Sequence, residues 1–317
     1  MTIVAVDIGG THARFALAEL NGGEVLLGSE TVLKTGDYPD LGSAWRAFAE
    51  QAGRPLPRAA ALAIAAPVSG EAIKLTNNRW VLGPAGLAAE LGVDRLTLIN
   101  DFAAVAFGVS ACSDSELLHL CGPVLPLPAT GVVSIVGPGT GLGVALLVRD
   151  AAGARVIATE GGHVGFAPTD ELEDRILARL RARHGRVSVE RLVSGAGLAI
   201  IHQAITGADQ EQDDRALWQQ ALAGTDPDAG AALDRFCGLL GSIAGDFALG
   251  HGANAVVIAG GLGLRLAGRL PRSDFAARFC AKGRSEKLLA QMPVKLITHP
   301  QPGLLGAAAA FAAEHRT

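Results

Sequence analysis

Three groups of residues combine types and spacings that could do chemistry. The first is Asp7-Ile8-Gly9-Gly10-Thr11. Two successive glycines remove both Cβ atoms where the backbone turns, so N–H groups can approach a ligand closely, and Thr11 adds a hydroxyl. Phosphate oxygens suit such a turn. Asp7 standing alone would repel them, which makes sense if a cation lies between, and the combination points to Mg-ATP. Taken by themselves these residues leave open an ordinary glycine hairpin with a capping aspartate.

The second group is Asn100-Asp101, two polar residues between the apolar stretches Leu96 to Ile99 and Phe102 to Phe107. In α/β sheets ligands collect outside the carboxyl ends of strands, so a carboxylate there can accept a proton from a substrate hydroxyl. Helix N-capping explains the same residues equally well. The third group begins with Gly137-Pro138-Gly139-Thr140-Gly141, which again sets a glycine-rich turn with a threonine between two apolar stretches. No lysine follows these glycines, which argues against a P-loop, and both turns lead into strands, which argues against a dinucleotide fingerprint. Glu160-Gly161-Gly162-His163 follows. The Glu160/His163 spacing occurs in di-metal helices, but the two glycines and Pro168 oppose a helix, so no protein metal site is expected. On a turn the two side chains can converge as hydrogen-bond partners for a polyol. Glu190 reads in isolation as a solvated helix charge or part of a capping arrangement. Gly260-Gly261 ends an apolar strand, where it could let a flat adenine ring lie against the backbone or simply turn the strand into a helix.

The elements that must position these groups follow from hydrophobic periodicity. Ile3 to Val6 reads as a buried strand and Ala13 to Leu20 as its hairpin partner, with Glu24 to Val32 extending the meander. Leu41 to Ala52 has helical spacing, and Ala59 to Ala66 is an apolar core strand stopping at Pro67. Ala72 to Leu75 is a short strand before the polar cluster Thr76-Asn77-Asn78-Arg79-Trp80, a surface turn or a binding loop. Leu96 to Ile99 is a strand followed by a buried helix, and Val132 to Val148 is a second hairpin that repeats the first. Ser188 to Arg191 reads as opening a helix, with a break at Gly195-Ala196-Gly197. Leu217 to Leu222, Ala231 to Gly250 and Leu304 to Glu314 read as helices, and Asn254 to Ala259 and Lys295 to Thr298 as strands.

Composition bounds the class. With 317 residues and 49% hydrophobic content the chain can build a large core, and two lobes are favoured. The net charge of -4 gives no general attraction to nucleic acid or anionic membrane, so any phosphate affinity is local. No apolar run approaches the roughly 18 residues of a membrane span, and Asp7 within the first apolar stretch argues against a signal peptide; a cytoplasmic protein is expected. Cys112, Cys121, Cys237 and Cys280 are scattered, as buried free thiols would be.

The set Asp7-Ile8-Gly9-Gly10-Thr11, Leu98-Ile99-Asn100-Asp101-Phe102, Gly137 to Gly143, Glu160-Gly161-Gly162-His163, Val189 to Gly195 and Ala259-Gly260-Gly261 resembles the bacterial glucokinases, in the hexokinase branch of the actin-like ATPase superfamily of sugar kinases. The resemblance runs in order through nearly the whole chain. It implies an α/β, two-lobed actin-like ATPase (ribonuclease H-like) fold with a duplicated core and a cleft between lobes. It implies a small lobe of residues 1–108 completed by a C-terminal helix at 301–317, and a large lobe at 109–300. It implies a transferase that phosphorylates glucose at the 6-hydroxyl with ATP, the first step of glycolysis, with Asp101 as general base. Asn100, Asp101, Glu160, His163 and Glu190 would bind sugar, and Asp7, Gly9, Gly10, Thr11, Gly139, Thr140, Gly260 and Gly261 the nucleotide. Mg²⁺ would be held mainly through the phosphates, and the protein would be a homodimer. A kinase of mannose, fructose or glucosamine is the near alternative, and a non-kinase actin-like ATPase or a sugar sensor the far one. A sensor would need a DNA-binding segment, for which a core strand starting at Ile3 leaves no room. Two departures bear on the phosphate turns: His12 where the family usually has asparagine, and Pro138 where a small residue is common. No cysteine cluster follows His163, unlike the zinc-containing repressor and kinase relatives.

Overall fold

The opening apolar run forms β1 (Thr2–Ile8), which folds back at Gly9-Gly10 onto β2 (His12–Asn21). Their antiparallel register sets Asp7 opposite Arg14 and Val6 opposite Phe15. β3 (Glu24–Leu27) and β4 (Thr31–Lys34) both pair with β2, as an extended meander requires. The computed structural model describes residues 1–68, 70–75, 78–208 and 213–315. Residues 76–77 of the polar cluster before Trp80 lie outside them.

Helix α1 (Leu41–Ala52) starts at Asp40, whose carboxylate accepts from Ser43 N, and stops at Gly53 in the left-handed region. Both devices satisfy helix-end groups that lack intrahelical partners. Its apolar face sends Trp45 and Phe48 onto Phe15. β5 (Ala59–Ile64) is buried at every position and runs parallel to β1. A short pair, β6 (Ile73–Lys74) and β7 (Val81–Leu82), precedes α2 (Pro84–Leu91). β8 (Arg95–Asn100), parallel to β5, passes directly into α3 (Asp101–Ala111). The sheet order is β3-β2-β1-β5-β8.

The C-terminal helix Pro302–His315 covers one face of this sheet through Leu304, Ala307, Ala308 and Phe311, which cluster with Ile3, Ala5, Ala61 and Ala104. Small residues let it cross α3 at backbone contact. A Cβ on Gly306 would fall 1.6 Å from the Ala104 carbonyl oxygen, and one on Gly108 would fall 2.4 Å from that of Pro302. The alanine and glycine richness of the chain is used here as packing, since close-packed interiors do not absorb added atoms without displacement.

The second sheet runs β12-β11-β10-β13-β14-β9, built from β9 (Leu117–Cys121), β10 (Gly131–Pro138), β11 (Leu142–Asp150), β12 (Gly153–Thr159), β13 (Ala255–Ile258) and β14 (Val294–Ile297). β13 lies parallel to both β10 and β14, and β9 caps the edge antiparallel to β14. The path from β12 to β14 repeats the order of the first sheet, three strands consecutive in the chain and then two parallel ones. This is the duplicated core of an actin-like ATPase.

Its helices are α4 (Glu171–His184), α5 (Gly197–Thr206), α6 (Asp214–Ala223), α7 (Pro227–Gly250), α8 (Gly260–Arg265), α9 (Phe275–Cys280) and α10 (Glu286–Leu289). α7 is buried along most of its length; it meets α9 at Gly241 and Gly245, where an added Cβ would strike Phe275 and Phe279 backbone oxygens. The helix expected from Ser188 is a single 3-10 turn, Val189–Arg191; the break falls at residues 192–196, and Gly197 opens α5 at its end. The cause is local, because a Cβ on Gly197 would stand 1.9 Å from the Leu192 carbonyl oxygen, so glycine lets the chain pass close enough to start the helix there.

By contacts the chain divides into two units, one comprising Met1–Glu116, Arg149–Ala158 and His299–Thr317, the other Leu117–Val148 and Thr159–Thr298. Cys237 is buried and Cys112, Cys121 and Cys280 are half-buried, all free; burial pushes the thiols of Cys121 and Cys237 up to about 12. Among the described residues no helix is long and apolar enough to cross a membrane.

Candidate active site

In the first unit, the turn after β1 is held by its carbonyls. Gly9 O accepts from Asn78 Nδ2 at 3.3 Å, Gly10 O from Thr35 Oγ1 at 2.9 Å and Thr11 O from Thr35 N at 3.0 Å. With those oxygens turned into the protein and Gly9 N donating to His12 O at 2.9 Å, the N–H groups of Gly10 and Thr11 and the exposed Thr11 hydroxyl are left for a guest, an arrangement that favours anions. Asn78 was legible only as part of a polar cluster. Here its side chain ties that loop to the turn and also accepts from Trp80 N at 2.9 Å.

Asp7 sits at the end of β1, with Oδ2 3.8 Å from Arg14 Nη1. The C-terminal helix approaches so closely that a Cβ on Gly303 would lie 2.8 Å from the same oxygen. Burial pushes the Asp7 carboxyl up to about 6; Arg14 pulls it down and the Asp101 charge pushes it further up. The carboxylate thus carries an uncompensated cost when ionised. Among the described residues no three His, Cys, Asp or Glu side chains form a metal cluster. A single carboxylate of this kind fits a divalent cation that brings its other ligands with it.

The raised value has a consequence for stability. Between its ordinary 3.8 and about 6 the folded chain keeps a proton that the unfolded chain has released, so the Asp7 contribution to stability falls as pH rises through that window. Replacing Asp7 with Asn removes the effect. Urea unfolding of Asp7→Asn and the parent protein, without nucleotide, should show the variant gaining about 2 kcal/mol on the parent between pH 4.5 and pH 8. A pH-independent difference would mean that Asp7 is not held at a desolvated position.

Asn100 and Asp101 stand at the junction of β8 and α3. Asn100 is the N-cap, its Oδ1 accepting from Phe102 N at 3.0 Å and Ala103 N at 3.1 Å. Asp101 is the first helical residue. Its Oδ1 accepts from Phe102 N at 2.8 Å and from Asn100 Nδ2 at 3.0 Å. The capping chemistry read from the sequence therefore belongs to Asn100, and it orients the neighbouring carboxylate. Negative charge is also favoured at a helix N-terminus.

In the second unit three of the expected residues converge. Glu160 precedes a 3-10 turn, Gly161–His163, that lies against β11 so tightly that a Cβ on Gly162 would be 2.3 Å from the Leu142 carbonyl oxygen. His163 Nε2 is 3.7 Å from Glu160 Oε2, and His163 Nδ1 is 3.9 Å from Glu190 Oε1. The chain after His163 pairs with the chain before Glu190: Phe166 N donates to Val187 O and Val189 N to Val164 O, both at 3.0 Å. Glu190, expected when taken alone to be a solvated helix charge or part of a capping arrangement, is half-buried. Its Oε2 accepts from Leu142 N at 2.9 Å, and a Cβ on Gly141 would strike that oxygen at 2.5 Å. One carboxylate thus touches both the glycine turn and the imidazole.

That turn opens onto a cleft of about 960 Å³ lined by Gly139, Thr140, Gly195, Ala196, Gly261 and side chains of α6 and α8. Gly139 N donates to Gly141 O and Gly139 O accepts from Gly195 N, both at 2.8 Å. Gly261 faces the cleft. Gly260, at a φ of +78°, is pressed to the Pro138 carbonyl, where a Cβ would come within 2.6 Å, so its part is the strand-to-helix turn. Missed in the sequence were Arg215, Trp218 and Arg265. Trp218 is buried, donates Nε1–H to Gly195 O at 2.8 Å and meets Phe236 edge-on, so it props the cleft wall. Its placement on the apolar stripe of α6 was visible; its partner across the chain was not.

The family model for Glucokinase matches residues 4–314. A glucokinase from Zymomonas mobilis is 58% identical over 317 residues, covering 98% of each chain, and one from Paramagnetospirillum magneticum is 39% identical over 314 residues, covering 96% of each. The crystal structure of a glucokinase from an Antarctic psychrotroph superposes with a TM-score of 0.88 at 33% identity, covering 100% of this chain and 99% of that one. A glucokinase from Balamuthia mandrillaris in complex with glucose, 22% identical, shares the fold with a TM-score of 0.76 over 98% of this chain and 93% of that one.

Proposed function

The chain belongs to the glucokinase family, and from that premise we propose that it transfers the terminal phosphoryl group of ATP to the 6-hydroxyl of glucose, the entry step of glycolysis. The observation that carries this reading is the Asp101 carboxylate at the carboxyl end of β8, fixed by the Phe102 N–H and the Asn100 amide. As general base it accepts the proton of the 6-hydroxyl as that oxygen attacks phosphorus. Asn100 positions it. Glu160, His163 and Glu190 bind the other sugar hydroxyls, a role supported by their convergence within 3.9 Å. Carboxylates accept from hydroxyls, and the imidazole can donate or accept.

The turns at Gly9, Gly10 and Thr11 and at Gly139 and Thr140 take the phosphates, and Gly261 borders the remainder of the nucleotide, with Gly260 shaping its turn. When bound with the phosphates, Mg²⁺ would neutralise charge on the transferring group, and Asp7, a carboxylate at the end of β1 beside the first turn, would help to hold it. The first contact unit is taken as the small lobe and the second as the large one. The reading extends, on family likeness, to a homodimer in the cytoplasm.

Sugar selectivity then rests on hydroxyl-specific hydrogen bonds. A Glu160→Gln enzyme keeps the side chain's shape and loses its charge and one acceptor. Steady-state kinetics should show the glucose KM raised roughly 5- to 150-fold with little change in the KM for ATP. An unchanged glucose KM would remove Glu160 from the sugar site and weaken the reading built on it.

A further inference from the structure

A second cavity, of about 410 Å³, lies in the first unit beside the Gly9–Thr11 turn and is lined by Gly10, Thr11, Lys34, Thr35, Asn78 and Arg79 together with Gly36 and Asp37. Lys34 ends β4, in register with His12 at the start of β2. The next residue, Thr35, is bolted to the turn by two hydrogen bonds, Oγ1 to Gly10 O and N to Thr11 O. Leu33 is buried in the core, so alternation along the strand sends the Lys34 side chain to the other side, towards the cavity. Arg79 spends Nη2 on the carbonyls of Gly36 (3.1 Å) and Tyr38 (3.0 Å), which pins its guanidinium at the rim. Against these two cations stands one carboxylate, Asp37. The ammonium of Lys34 has no protein acceptor among the described residues.

We propose that Lys34 contacts the terminal phosphoryl group of the donor, supplying beside the Gly9–Thr11 turn the fixed positive charge on which phosphoryl transfer depends. This rests on the kinase reading above and names the residue that discriminates a triphosphate from shorter nucleotides. A turn of N–H groups and a hydroxyl can hold oxygens but carries no full charge, and Arg14, the other cation close by, is drawn to Asp7 at 3.8 Å. Arg79 on the same rim is held by two backbone carbonyls, so Lys34 is the cation there whose head group is not engaged by the protein among the described residues. Its anchoring through Thr35 fixes the strand end from which it reaches, so less freedom is lost on engaging an anion.

The test measures binding of AMP, ADP and a non-hydrolysable ATP analogue, each with Mg²⁺, to the full-length protein and to its Lys34→Met and Lys34→Arg variants. Lys34→Met should weaken the ATP analogue roughly 10- to 100-fold, ADP less and AMP not at all; Lys34→Arg should recover most of the loss. The kcat/KM for ATP should fall in step, with the glucose KM and thermal unfolding unchanged. Equal losses for all three nucleotides, or no loss for the analogue, would overturn the assignment. So would inorganic phosphate that binds the cavity in the presence of saturating analogue, since the cavity would then serve a separate anion. Absence of glucose-dependent ADP release from the unaltered protein would instead defeat the kinase reading, which keeps the two failures distinct.

Discussion

An Asp101→Asn enzyme is expected to fold normally and to lose about 10²- to 10⁴-fold in kcat, the range for removing a general base. The expectation follows from where the structure spends the side chain. Asp101 Oδ1 accepts from Phe102 N, a bond an asparagine oxygen can keep, and the helix is capped by Asn100 and not by Asp101. The substitution therefore removes proton affinity while leaving the strand-to-helix junction in place. A loss of that size corresponds to about 3–5 kcal/mol of transition-state stabilisation, which positioning alone by a neutral amide would not replace. Glucose KM should move little by comparison. Near-normal turnover in a variant that unfolds at the parent's temperature would show that the proton goes elsewhere.

The second large effect is structural. Glu173, in the first turn of α4, is fully buried, yet all its charge is matched: Oε1 accepts from Arg235 Nη1 at 3.0 Å and Arg278 Nη2 at 2.5 Å, and Oε2 from Thr169 N and Oγ1. Arg235 also pairs with Asp170, the N-cap of the same helix. One carboxylate thus ties α4, α7 and α9 together. Removing one partner of a buried pair leaves charge without compensation and costs about 3–5 kcal/mol, more than the pair itself contributes relative to an apolar replacement. Glu173→Ala should lower the midpoint of thermal unfolding by on the order of 10 °C. The kcat of the remaining folded enzyme, measured well below that midpoint, should be unaffected. A shift of a degree or two would mean that water or Asp170 takes over the two guanidinium groups.

These two residues also show what the sequence could and could not reveal. Asp101 was legible because two polar residues at the end of an apolar strand are out of place unless they cap or react; Asn100 caps, and Asp101 is the carboxylate proposed as the base. The paired hairpins were legible because glycine-rich turns between apolar strands repeat at Gly9 and Gly139, and the two sheets do repeat one strand order. The helix periods of α1, α7 and the C-terminal helix were likewise set by local pattern. Glu173 was invisible, since a glutamate early in a charged helix normally faces water, and only the distant Arg235 and Arg278 turn it inward. In isolation Glu190 could be read only as a solvated or capping charge, because its partner, the Leu142 N–H, lies 48 residues away. Asn78, Lys34 and Trp218 share that property. Each is tied to a glycine turn, or to the cavity beside one, through contacts distant in sequence, which no spacing rule reaches.

The central claim is that hydrolysable ATP is turned over only when a sugar hydroxyl is present to receive the phosphoryl group, and that glucose is the preferred acceptor. ADP release from Mg-ATP, measured with glucose, mannose, fructose, glucosamine and no sugar, tests it most directly. The account predicts the highest kcat/KM with glucose and negligible release without sugar. Comparable ADP release in the absence of sugar, or faster turnover of another hexose, would contradict it.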